Sequence, residues 1–204
     1  MYIQKQQQLL VYTANKLRFL LIKHPTPGHD FYHGLRVAAL SKKIARFEKS
    51  DIFIAEFAGL IHDIGYTRHR FGSPKSHHEH SYELCREWFR KDRVFDSLTK
   101  AQKRIILYTL RYHGNDNANL YNTAWIIRDA DKLDGLGSIG LKRSRDYCNH
   151  TGFSFNVDLR LRFHIAAYLK SVWSQKLLKQ KQLLRPFIKA LAQFNRMNIK
   201  PITL

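Results

Sequence analysis

The chain has 204 residues, 44% hydrophobic and 13% aromatic, enough to bury an ordinary core and too apolar for a disordered polymer. No apolar run approaches the ~20 residues of a membrane span, and the opening MYIQKQQQLL lacks the basic-then-apolar order of a secretory signal, so a cytoplasmic protein with no membrane partner is expected. A net charge of +19 predicts attraction to polyanions, from small phosphates to nucleic acid, without choosing among them.

Helical spacing runs through the chain. Residues 5–23 place Leu9, Leu10, Tyr12, Leu17, Leu20 and Leu21 on one side, and HPTPGHD then ends the helix with two prolines and a glycine. Asp30 suits an N-cap for FYHGLRVAALSKKIARFE, in which Leu35, Val37, Ala38, Leu40, Ile44 and Phe47 form a broad apolar stripe. Asp51 opens the next helix, through Ile54, Phe57, Ala58 and Ile61, with Gly65 to close it. The polar TRHRFGSPKSHHEH, with Gly72 and Pro74, reads as a loop. Further helices are expected over 78–91, 98–113, 122–135, 158–180 and 183–196, joined by GNDNANLYN and CNHTGFSFN. Strand-like alternation is nearly absent and no linker interrupts the pattern. The expected architecture is one all-α domain over 1–204, with seven or eight helices.

Charge and histidine are unevenly spread. From Leu141 onward there are 13 Lys and Arg against 2 acids, while nine of the 11 histidines lie between His24 and His113. Anion attraction is thus weighted to the C-terminal third and coordination chemistry to the first two thirds. Cys85 and Cys148 have no metal-type spacing and read as free buried thiols.

Three polar insertions interrupt the apolar pattern. In LIHDIGY, His62 and Asp63 follow a hydrophobic run, where an uncompensated carboxylate would cost several kcal/mol or take up a proton. A metal ion at the helix end would compensate, and so would a core His–Asp hydrogen bond to capping groups. His33 lies on another apolar-faced helix, with Arg36 one turn on and able to meet a phosphate. In IIRDADKLDGLG, Asp129, Asp131 and Asp134 punctuate an apolar helix beside Lys132.

The blocks HDFYHGLRV, LIHDIG and DADKLDG, in that order, resemble the HD-domain superfamily of helical metal-dependent phosphohydrolases, and more narrowly its small single-domain bacterial branch. The resemblance spans about residues 29–145, with a basic helical pair at about 158–196 beyond it, and it implies a fold built around a buried metal site. It implies His33, His62, Asp63 and Asp131 as ligands of one divalent metal ion. Nitrogen and carboxylate donors without thiolate suit Mn²⁺, Ni²⁺, Co²⁺, Fe²⁺ or Mg²⁺. Arg36, His78, His113 and Lys132 become candidate substrate contacts. His78–Glu79 resembles the H-E-x-S pattern of this superfamily, although histidines in SHHEHSYEL can also be solvated. Some members carry an acid three residues after the HD pair; here that position is Tyr66, which leaves Glu79, Asp134 or the metal-bound water to supply the base beside Asp63.

The function this implies is hydrolysis of nucleotides, with nucleoside or deoxynucleoside triphosphates as leading substrates. If His78 and His113 hold a second ion, the alternative is a binuclear phosphodiesterase or an enzyme like the HD-fold di-iron oxygenases. A basic nucleic-acid-binding protein is the third reading, with weak electrostatic association as its milder form.

Overall fold

In a computed structural model of the chain, residues 2–68 and 75–198 are described, and among them every regular element is helical. The expected loop residues Gly72 and Pro74 lie outside the described residues. The chain divides into two compact units, Met1–Ala130 and Asp131–Leu204. None of the described helices is long and apolar enough to cross a membrane.

The first unit holds α1 (Tyr2–Lys23), α2 (Phe31–Phe47), α3 (Ile52–Ile61), α4 (His77–Lys91), α5 (Lys100–Tyr112) and most of α6 (Asn122–Asp134), with short 3₁₀ turns at Ile64–Thr67 and Arg93–Ser97. The caps follow the sequence. Asp30 Oδ1 accepts the His33 amide at 2.7 Å and Asp51 Oδ1 accepts that of Ile54 at 3.0 Å. Thr99 and Gln102 form a reciprocal capping box. Helix α3 is apolar except at Glu56, which pairs with Lys42, and runs through the middle of the core, where Ile54, Phe57 and Ile61 meet Phe95, Ile106 and Leu110. Helix α2 buries Val37, Ala38 and Ile44 against it but leaves Leu35 and Phe47 39% and 48% exposed, so the buried stripe is narrower than the apolar pattern. Close approach of α2 and α3 depends on Gly34, where a Cβ would stand 2.7 Å from the Leu60 carbonyl oxygen. That approach sets His33 beside His62.

The second unit continues from the end of α6 into α7 (Gly137–Thr151), α8 (Phe155–Ala167), α9 (Val172–Gln180) and α10 (Arg185–Asn198), around Leu136, Leu159 and Phe187. Ten α-helices among the described residues exceed the seven or eight expected. The additional helices are α7, which the apolar pattern does not announce, and the division of the expected 158–180 helix at 168–171, where Ser171 Oγ caps α9 by accepting the Trp173 amide at 3.1 Å. Helix α3 also stops earlier than Gly65, at Ile61, so His62 and Asp63 occupy a turn. Cys85 and Cys148 are free and buried, as expected.

Candidate metal centre

Asp63 is the centre of a cage of imidazoles. His29 Nδ1 donates to its Oδ2 at 2.8 Å, and the Nε2 atoms of His62 and His33 stand 3.2 and 3.5 Å from that same oxygen. The other oxygen, Oδ1, faces the Nε2 atoms of His77 and His113, each at 3.6 Å. One carboxylate therefore presents one oxygen to three histidines and the other to two.

The ring orientations come from the helices. His62 Nδ1 donates to the Gly59 carbonyl at 2.9 Å, one turn back on α3, and His113 Nδ1 lies 3.2 Å from the Leu110 carbonyl on α5. A carbonyl can only accept, so each neutral ring carries its proton on Nδ1 and turns an Nε2 lone pair inward. This backbone-locked tautomer is the one a metal-ligating histidine needs. The donor set thus fits a divalent ion.

Among the described residues of the first unit, the ligand atoms of His33, His62 and Asp63 lie within 4.8 Å of one another, and so do those of His77, His78 and His113. The first group holds three of the residues singled out from the sequence. Asp131 follows Ala130 on the unbroken α6, whose Ile126, Ile127 and Ala130 are buried. The second gathers His78 and His113, expected as substrate contacts, with His77.

The remaining expected residues are engaged elsewhere. Glu79 pairs with Arg111 at 2.7 Å and Asp134 with Arg143 at 2.6 Å. Lys132 Nζ reaches the Tyr168 carbonyl at 3.4 Å. Arg36 is part-buried on α2, one turn from His33.

Sequence reasoning missed three contributors. His29 and His77 sandwich Tyr66, each ring 4.0 Å from it by centroid, so the tyrosine standing where an acid was sought acts as a spacer between two imidazoles. The HD pair at His29–Asp30 was a signal for His29, and the SHHEHSYEL run was a weaker one for His77. Arg128, buried on α6, donates to the carbonyls of His113, Asn115, Asp116 and Ala118 and so ties down the segment after His113.

The cage also sets a pH response. Burial lowers His77 from the usual 6.5 to about 3. Burial alone would raise the Asp63 carboxyl, but the positive charge of the surrounding imidazoles once protonated, His62 foremost, holds it well below the usual 3.8. Both groups bind fewer protons folded than unfolded as acid is added, so the unfolded chain gains relative to the folded one. The thermal midpoint of chelator-treated protein should therefore fall as pH drops from 6.5 towards 3. A midpoint flat over that window would contradict this account of the cage.

The HD domain family matches residues 30–136. The Bacillus subtilis (strain 168) protein YpgQ is 30% identical over 144 residues, covering 68% of this chain and 66% of YpgQ. Protein L803 of Acanthamoeba polyphaga mimivirus is 26% identical over 159 residues, covering 72% of this chain and 64% of L803. The match thus spans just under two thirds of each relative's length. The crystal structure of B. subtilis YpgQ in complex with ADP superposes with a TM-score of 0.70 at 18% identity, covering 100% of this chain and 99% of that one, a likeness of fold. With this family match lying over more than half of the chain and over every residue of the imidazole cage except His29, the chain belongs to the HD domain family.

Proposed function

We propose that this protein is a metal-dependent phosphohydrolase of nucleotides, with nucleoside or deoxynucleoside triphosphates as leading substrates. The observation that carries the reading is the single carboxylate of Asp63 ringed by imidazole nitrogens, two of them on rings with Nδ1 turned to a backbone carbonyl. His33, His62, Asp63 and Asp131 would hold the ion. A bound divalent cation polarises a phosphoryl oxygen and makes an attacking hydroxide available near neutral pH. The chain's own part is to fix ring orientation through Gly59 and Leu110 and to offer a cation to the phosphate through Arg36. YpgQ, of the same fold, binds ADP, which supports a nucleotide over other phosphate esters.

A screen of nucleotides against protein loaded in turn with Mn²⁺, Ni²⁺, Co²⁺ and Mg²⁺, with products separated by chromatography, tests the reading. Absence of turnover with every metal and nucleotide would refute it. Arg36→Ala should raise KM by roughly tenfold, the worth of one charge-assisted hydrogen bond, and leave metal content unchanged. Unaltered kinetics would make Arg36 structural.

The His77, His78 and His113 group favours a second reading, a binuclear centre in which these three histidines would help to hold a second ion. Counting metal per chain decides: about two supports it, about one returns the three histidines to substrate contact or support.

A further inference from the structure

The second unit carries a cleft of its own, about 690 Å³ in volume, between α7, the end of α9 and the start of α10. Among the described residues four cations line it and no acid does: Arg145, Lys181, Arg185 and Lys189. Arg185 and Lys189 are four residues apart and share one face of α10, with Gln193 the next residue on that face. The two guanidinium groups are held by neutral partners. Arg185 Nη1 donates to Gln182 Oε1 at 3.2 Å, and Arg145 lies over the Phe155 ring, 5.6 Å from its centroid. Each is oriented and neither is neutralised, so positive potential is focused in the concavity.

Four like charges around one cleft repel one another, and an anion removes that repulsion. The volume falls in the range of small-molecule sites, ~300–1,000 Å³, which leaves space for several linked phosphates. No aromatic side chain among the described residues lines the cleft. Single-stranded nucleic acid is gripped by stacking bases on aromatic rings, and that platform is missing here.

We propose that this cleft binds a linear polyphosphate recognised by its phosphates alone, either free inorganic polyphosphate or the polyphosphate tail of a nucleotide. Cations supply the affinity, and the glutamine amides at Gln180, Gln182 and Gln193 supply neutral donors between them. None of the candidate metal ligands named above lines the cleft, so the site stands whether or not the proposed hydrolase activity does.

The test is calorimetric titration of inorganic tripolyphosphate into the chelator-treated full chain at fixed ionic strength, for wild type and Arg185→Gln/Lys189→Gln. The double variant should bind roughly a hundredfold more weakly, about tenfold for each charge-assisted hydrogen bond removed. Arg145→Gln, on a different helix, should bind roughly tenfold more weakly, and Lys189→Arg should keep wild-type affinity. An unchanged thermal midpoint shows that each variant is folded. A nucleoside triphosphate should lose as much affinity as tripolyphosphate in the double variant, and an equal loss identifies the phosphates as the recognised part. Equal tripolyphosphate affinity in wild type and double variant overturns the proposal. A loss confined to a single-stranded oligonucleotide also overturns it, and marks the cleft as a nucleic-acid surface. Nucleotide turnover at saturating substrate should be the same in all the cleft variants, which separates failure here from failure of the metal centre.

Discussion

Asp63→Ala should remove bound metal and nucleotide turnover together. Both Asp63 oxygens face imidazole nitrogens, at 3.2 to 3.6 Å for His33, His62, His77 and His113, so no neighbouring group can take its place without a shift of backbone. Losing the ion forfeits several kcal/mol of charge stabilisation in the transition state, and about 4 kcal/mol corresponds to roughly a thousandfold in rate. The helices that carry the histidines are capped by Asp30, Asp51 and Thr99. The variant should therefore keep its helical circular dichroism. Full metal occupancy in Asp63→Ala, measured by elemental analysis after dialysis, would show that the ligands lie elsewhere. His77→Ala offers the contrast, because His77 belongs to the second group of histidines and its loss should leave at least one ion per chain bound.

Which parts of this arrangement could be read from the chain depends on whether the signal was local. The caps Asp30 and Asp51 act on amides three residues away, and both were legible. The apolar α3 is its own announcement of burial. Helix α7 was not legible because it buries small residues: Gly140, Ser144 and Cys148, four apart, make a helical stripe that no hydrophobic pattern reveals. The break between α8 and α9 contains neither glycine nor proline and depends on the Ser171 cap.

The same distinction runs through the site. His33, His62, Asp63 and Asp131 stand out as polar residues in apolar surroundings, and the first unit brings His33, His62 and Asp63 together. Glu79 and Asp134, the candidate bases, take arginine partners, Arg111 on α5 and Arg143 on α7, from other helices, and no spacing rule foretells those pairs. His77 likewise gains its place through tertiary stacking on Tyr66. Residues whose environment is made by their own helix were legible, and those whose environment comes from a neighbouring helix were not.

Gly65→Ala should damage the second histidine group while sparing the first. Gly65 lies in the 3₁₀ turn just after the HD pair, pressed against the first turns of α4, where its amide donates to Ser81 Oγ at 2.8 Å. A Cβ there would sit 1.9 Å from the His77 carbonyl oxygen and 2.5 Å from the Ser81 amide nitrogen. Both are backbone atoms, so no rotamer change relieves the clash. The start of α4 must move away by more than ~1 Å to reach the separation of ~3.5–4.0 Å that van der Waals packing tolerates. Overpacking of this kind costs ~1–3 kcal/mol, occasionally more, which for a chain of this size lowers the thermal midpoint by about 2–12 °C at ~2–4 °C per kcal/mol. His77 and His78 open α4 and travel with it, whereas His33 and His62 belong to α2 and to the end of α3. If the centre is binuclear, metal content should fall from about two ions per chain to about one, with turnover reduced along with it. A Gly65→Ala protein that keeps the wild-type midpoint and full metal content would mean that the turn after Asp63 does not position α4.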